Sequence, residues 1–358
     1  MSQKIYFICP ENKAPAGGIK QLYKQVDLLN KNDINAVILH KKRGFRHKWF
    51  DNTTRIEYNR PLFMQIRWGT KKHKIPFLKQ LFNTLIFKFQ NVLASKLDHS
   101  ALFVFPEIYS QSFKELKQEY QKVIFNQNCY YTFRYNTIDD AVSQNPYTDK
   151  NILATIVVSE DSKNYLSFAI PGITLHRIRL GIDDSKFFHE TKKRKQIAFM
   201  PRKLEDDITQ ITNILKYRNS LGDWSLVSID NKSEAEVARV MRESHIFLSF
   251  NHIEGFGLPP VEAMACGCIV IGYTGRAGEE YFNPDFSYPV SDGNIIDFVS
   301  QIEAVISLFE TDRTTFLEKQ KKASRAILAE YNLQNEEHDI VTTWKTILEA
   351  SNAKKLLS

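Results

Sequence analysis

The chain has 358 residues, of which 43% are apolar, 12% aromatic and 25% charged. That is too long for one ordinary core and too apolar for wholesale disorder, so two folded domains are expected. The net charge is +7, yet the first 100 residues carry 19 Lys and Arg against 6 Asp and Glu, a local +13 that leaves −6 for the rest; the basic surface belongs to the N-terminal part and points to an anionic partner, or to no more than a solvated face.

MSQKIYFICP enters directly on a strand-like run, without a cleavable signal of the usual form. No apolar run approaches the roughly 20 residues of a membrane span. PENKAPAGG reads as a loop, and IKQLYKQVDLLNKN has helical spacing at Ile19, Leu22, Tyr23, Val26 and Leu29. INAVILH is the next strand, and ALFVFPE, KVIFNQN and TIVVSE continue the series. The stretch from His47 to Phe89 interrupts it, mixing Lys, Arg, Trp and Phe. From Ile75 to Leu93 aromatics and leucines recur at helical spacing with lysines between, which suits either an anionic membrane surface or a core-facing helix with solvated lysines.

The alternation pauses near residues 171–195 and resumes with KKRKQIAFMPRK, DWSLVSI, HIFLSF and CIVIGY as strands. TQITNILKYRNS, EAEVARVMRES and PPVEAMAC are the helices between them, and the tail from about Arg313 is helical, with Trp344 and Leu348 in its last segment. Strand-helix alternation of this kind predicts parallel sheets with helices on both faces, so two doubly wound α/β domains are expected. Cys9, Cys129, Cys266 and Cys268 form no C-x-x-C pair and no metal-like cluster with His, and a reducing, cytosolic compartment is the simple reading.

NHIEGFGLPPVEAMACG, residues 251–267, places Glu254 and Glu262 around a rigid turn. The spacing predicts a strand ending at Phe250, a loop bearing Glu254, and a helix with Pro259 and Pro260 in its first turn, closed by Gly267. Glu262 then falls in that first turn, where the helix dipole favours its ionised form. A carboxylate is a pure acceptor able to grip a vicinal diol such as a ribose. The amides of Gly255, Phe256, Gly257 and Leu258 are placed for phosphate oxygens. A sugar site, a phosphate site and a ribose site in one β-to-α turn have the outline of a nucleotide sugar.

EGFGLPPVEAMACG resembles the E-x7-E signature of retaining GT-B glycosyltransferases, glycosyltransferase family 4 in particular. VVSEDSKNYL, RIRLGIDDSKFF (with Leu180 where the family has Asn), AFMPRK and EAEVARVMRESHIFLSF extend the likeness over residues 155–285. The resemblance implies a GT-B fold: two Rossmann-like doubly wound domains facing a central cleft. The expected division is an acceptor-side domain over 1–175 that includes the basic segment, a nucleotide-sugar domain over 176–335, and a C-terminal helix over 336–358 returning towards the first. It implies donor-sugar contact for Glu254, ribose contact for Glu262, and sugar and phosphate contacts for the amides of Gly255 to Leu258. Arg202 matches the family's diphosphate-binding arginine. Its lysine usually falls later, where Asp206 and Asp207 stand, so Lys203 is the near candidate, able to reach the same phosphate only if its strand has ended. Gly17 and Gly18 match the glycine loop after the first strand. Gln127 or Asn128 stands near the place of the family's histidine.

The implied reaction is retaining transfer of a sugar from a nucleotide-diphosphate donor to a glycan or lipid-linked acceptor, with no metal or other cofactor required; no D-x-D occurs. The expected setting is cytoplasmic, peripheral on the inner membrane face through the basic segment. The rival reading is a GT-B accessory subunit without turnover, motivated by the missing histidine and displaced lysine. A dinucleotide oxidoreductase is disfavoured, since APAGG is no G-x-G-x-x-G and the second strand ends in His40. No nucleic-acid-binding signature accompanies the basic region, so no nucleic-acid partner is expected.

Overall fold

A computed structural model describes residues 3–12, 16–66, 96–116, 119–134 and 145–357. The basic helix expected over Ile75–Leu93 lies outside the described residues. The chain divides into two compact units, residues 1–158, 163–178 and 337–358 in the first and 159–162 and 179–336 in the second.

The first unit contains β1 (Ile5–Ile8), α1 (Gly17–Lys31), β2 (Ala36–His40), β3 (Ile56–Tyr58), α2 (Arg60–Gln65), β4 (Leu102–Pro106), β5 (Gln121–Asn126), β6 (Ile152–Val157) and β7 (Leu175–Arg177); α3 (Glu160–Ala169) follows β6. The strands form a seven-stranded sheet in the order β3-β2-β1-β4-β5-β6-β7, with every pairing parallel. β1 lies inside that order, between β2 and β4, and its four residues are all buried. A strand covered on both faces needs a continuous apolar run, and Ile-Tyr-Phe-Ile supplies it. On α1, Ile19, Leu22, Tyr23, Val26 and Leu29 are buried, the five positions that helical spacing marks.

The second unit contains β8 (Arg194–Phe199), α4 (Glu205–Tyr217), β9 (Ser225–Ser228), α5 (Glu234–Glu243), β10 (Ser244–Glu254), α6 (Leu258–Ala265), β11 (Ile269–Arg276), β12 (Ser287–Val290), α7 (Ile295–Thr311) and α8 (Arg313–Glu330). Its five strands run β12-β11-β10-β8-β9, again all parallel. The core packs Phe298, Ile302, Val305 and Phe309 of α7 with Ile246, Leu248 and Phe250 of β10 and with Ile269, Ile271 and Tyr273 of β11. α5 begins on a capping box in which Ser233 and Glu236 satisfy each other's backbone amides. The last helix, α9 (Leu333–Leu357), belongs to the first unit from Glu337 onward. Two parallel sheets fix where chemistry is to be sought, since ligands of such sheets bind beyond the carboxyl ends of the strands.

Candidate functional site

In the second unit, β8 ends at Phe199, so Arg202 and Lys203 lie in the turn that follows it. The opposite-face rule for strands no longer separates them. Leu204, left-handed with φ +50°, starts α4 directly after. The Lys203 ammonium forms an ion pair with the Glu254 carboxylate. Arg202 is exposed, and no hydrogen bond or ion pair holds it among the described residues.

The structure corrects two expectations about the glutamates. β10 does not end at Phe250; it continues through an irregularity to Glu254, which is paired in register with Arg276 of β11. Glu254 is therefore a strand-end residue, not a free loop residue. Glu262 is not in the first helical turn. Gly257, with φ +83°, is the N-cap, so α6 starts at Leu258, Pro259 and Pro260 occupy the first turn, and Glu262 is the fifth helical residue. Stabilisation by the helix dipole is confined largely to the first turn and is correspondingly weaker there.

Gly255 and Phe256 lead into the cap, and Phe256 is buried against the rings of Tyr281 and Tyr331. The Tyr281 hydroxyl lies 2.9 Å from the Phe256 carbonyl oxygen and 3.0 Å from that of Gly257 and shares its proton between them. In a planar trans peptide the N–H points opposite to the carbonyl. The N–H groups of Gly257 and Leu258 are thus turned away from Tyr281, and no acceptor meets them among the described residues. A side chain at 257 is excluded: a Cβ would stand 2.4 Å from Asn251 Nδ2 and 2.8 Å from the Tyr281 hydroxyl oxygen. Sequence reasoning gave Tyr281 no role, because it lies beyond the next strand and its partners are 25 and 24 residues away.

In the first unit, Gly17 and Gly18 open α1, whose N-cap Ala16 offers no side-chain bond. Gln127 follows β5. Its Nε2 donates to the Gly18 carbonyl at 3.2 Å, and its backbone N–H donates to Glu107 Oε2 at 3.2 Å. Two residues named from sequence, 109 positions apart, are thereby in contact. Asn128 is buried and caps the short 3-10 turn over Cys129–Tyr131, accepting from the Tyr130 amide. Glu107, at the end of β4, went unrecognised; it is 7% exposed, and burial pushes its carboxyl up to about 7. An acid with a raised native pKa binds more protons folded than unfolded, so stability falls as pH rises from the usual glutamate range to about 7. Glu107→Gln is expected to flatten the dependence of melting temperature on pH across that window. An unchanged slope would mean that Glu107 does not titrate there.

Chain spacing also conceals a cluster. Donor atoms of Cys9, His40 and His47, all buried, lie within 4.8 Å of one another beyond the ends of β1 and β2, correcting the expectation that no cysteine joins a metal-like cluster with histidine. Among the described residues this is the group whose donor atoms could meet at a metal ion. Hydrogen bonds occupy both His40 nitrogens, Nε2 with the Tyr23 hydroxyl at 2.6 Å and Nδ1 with the Cys9 carbonyl at 3.2 Å. His47 Nε2 meets the Pro10 carbonyl at 3.0 Å. Burial lowers His40 to about 3, so its ring stays neutral in this network.

Residues 226–327 match the family described as glycosyl transferases group 1. An alpha-1,6-glucosyltransferase of Actinobacillus pleuropneumoniae serotype 7 is 33% identical over 124 residues, 33% of this chain and 35% of that protein. The chain thus spans about a third of that curated relative's length. Among solved structures, sucrose-phosphate synthase from Thermosynechococcus elongatus aligns over 97% of this chain and 100% of its own, with a TM-score of 0.65 and 13% identity. HepE of Anabaena, solved with UDP and glucose, aligns over 96% of this chain and 100% of its own, with a TM-score of 0.59 and 13% identity. At such identities the likeness speaks for the fold.

Proposed function

We propose, from the match of residues 226–327 to the glycosyl transferases group 1 family and from the GT-B fold, that this chain moves a sugar from a nucleotide-diphosphate donor to a glycan or lipid-linked acceptor, with retention at the anomeric carbon. The observation that carries the proposal is the β10–α6 turn. There Glu254, two amides without an acceptor among the described residues and Glu262 follow one another in a single rigid segment, beside Arg202 and Lys203. Glu254 takes the sugar hydroxyls and Glu262 the ribose. The amides of the turn and the two cations take the diphosphate. As the diphosphate departs, the anomeric carbon gains oxocarbenium character, and these fixed donors stabilise the growing negative charge on the leaving group. Lys203, paired with Glu254 beforehand, exchanges that partner for phosphate oxygen. The structure of HepE with UDP and glucose supports this class of donor.

The acceptor reading leans on the first unit, where the Gly18–Gln127 contact lies at the carboxyl end of the sheet, and on the basic N-terminal charge. Among the described residues no helix is long and apolar enough to cross a membrane.

Glu262→Ala is expected to weaken donor binding by about 10-fold or more, the scale of a hydrogen bond to a charged group. The check is calorimetric titration with the nucleotide sugar that gives the largest thermal shift in a screen. Unchanged affinity would remove Glu262 from the site, and the donor-site reading with it. Donor binding without hydrolysis or transfer across acceptors would instead make the chain an accessory subunit.

A further inference from the structure

The loop after β11, GRAGEE, holds a feature that the donor reading leaves unused. Arg276 has φ +69° and ψ −64°, a backbone conformation natural to glycine and strained for a long side chain. Its register partner across the ladder is Glu254, and neighbouring strands lie about 4.8 Å apart. The strand next to Glu254 thus carries its strained residue beside the proposed sugar ligand. Ile253, just before Glu254, is also left-handed at φ +45°. Gly275 has φ +61° and sits so close to β10 that a Cβ would stand 2.8 Å from Asn251 Cβ and 3.4 Å from Glu254 Cγ. Arg276 Nη1 donates to Glu279 Oε1 at 2.8 Å, but the two side chains are 57% and 56% exposed. An exposed pair of that kind adds little stability.

We infer that Arg276 is a specificity-determining residue of the donor site, its guanidinium hydrogen-bonding a hydroxyl of a neutral transferred sugar; the inference rests on the donor-site reading above. The local charge supports a neutral sugar. Two carboxylates, Glu254 and Glu279, are each paired with a cation, Lys203 and Arg276. A neutral sugar finds donors and acceptors in that balanced set, whereas a sugar carboxylate must compete with a carboxylate already in place. A planar guanidinium fits this task better than an ammonium, because its donors are fixed in direction.

The test compares wild type with Arg276→Gly, Arg276→Lys and Glu262→Ala in the full chain. The probes are the nucleotide hexose bound most tightly in a panel of UDP, ADP, GDP and dTDP sugars, and the matching nucleotide hexuronate. Glycine adopts the 276 conformation without strain, so Arg276→Gly should melt no lower than wild type. It should nevertheless bind the hexose about 10- to 100-fold more weakly, the scale of one charge-assisted hydrogen bond, and lose preference over the hexuronate. Arg276→Lys should fall between. If Arg276→Gly keeps both affinity and preference while Glu262→Ala weakens binding, the role of Arg276 is overturned and the donor site stands. If wild type binds no nucleotide sugar, or Glu262→Ala leaves binding unchanged, the donor-site reading fails and takes this inference with it.

Discussion

Arg202→Ala is expected to lower kcat by about 100-fold or more, the loss typical of removing one donor aimed at charge that develops in the transition state. The size of the effect follows from the division of labour between two neighbouring cations. Lys203 is engaged by Glu254, and Arg202, in the same turn after β8, has no partner among the described residues. In the proposed donor site Lys203 must give up Glu254 before it meets phosphate, whereas Arg202 needs no such exchange, and its planar fork matches phosphate. Arg202→Lys should recover part of the loss, because charge returns without the fork. Arg202 is exposed, so the melting temperature of either variant should stay close to wild type, as for ordinary surface substitutions. Steady-state rates at saturating donor, with melting curves alongside, check both halves. A full rate in Arg202→Ala would exclude the arginine from the leaving-group site.

What the sequence made legible was whatever is local. The apolar stripe of α1 follows from helical spacing alone, and the buried run of β1 from its unbroken apolar sequence. Glu254 and Glu262 were visible for the same reason: nine residues of chain contain them both, along with the glycines and prolines that shape the turn. What escaped was set by distant partners. β10 runs on to Glu254 because β11 pairs with it there, and no pattern within NHIEG announces that ladder. Glu262 falls a turn deeper because Gly257 takes a left-handed conformation against Asn251 and Tyr281. Tyr281 orients the turn from beyond the next strand, and Glu107 reaches Gln127 across 20 residues. Cys9 and His40 meet because β1 and β2 are paired in parallel, and His47 returns to them through its contact with the Pro10 carbonyl. Lys203 turned on one boundary. A strand that stops at Phe199 instead of running on past it changes whether the lysine reaches the site.

Trp344→Ala is expected to cost about 3–5 kcal/mol, the usual range for truncating a fully buried tryptophan. Trp344 lies on α9, in the part that belongs to the first unit, and is 0% exposed. Its ring centroid is 5.5 Å from that of Phe7 on the interior strand β1, and its Nε1 donates to Gln25 Oε1 on α1 at 3.2 Å. Truncation would open a cavity against β1 and leave a buried amide oxygen without its donor, two costs that add. Trp344→Phe keeps most of the volume and loses the hydrogen bond, so it should cost less. A chain of two units need not unfold in one step, and the shift should appear in the transition that carries the first unit. Denaturant unfolding followed by hydrogen exchange at β1 and α1 would locate it. If exchange at β1 and α1 were unaffected, the final helix would be an appendage and not a part of the first unit's core, and a chain cut before Glu337 should then fold as well as the whole.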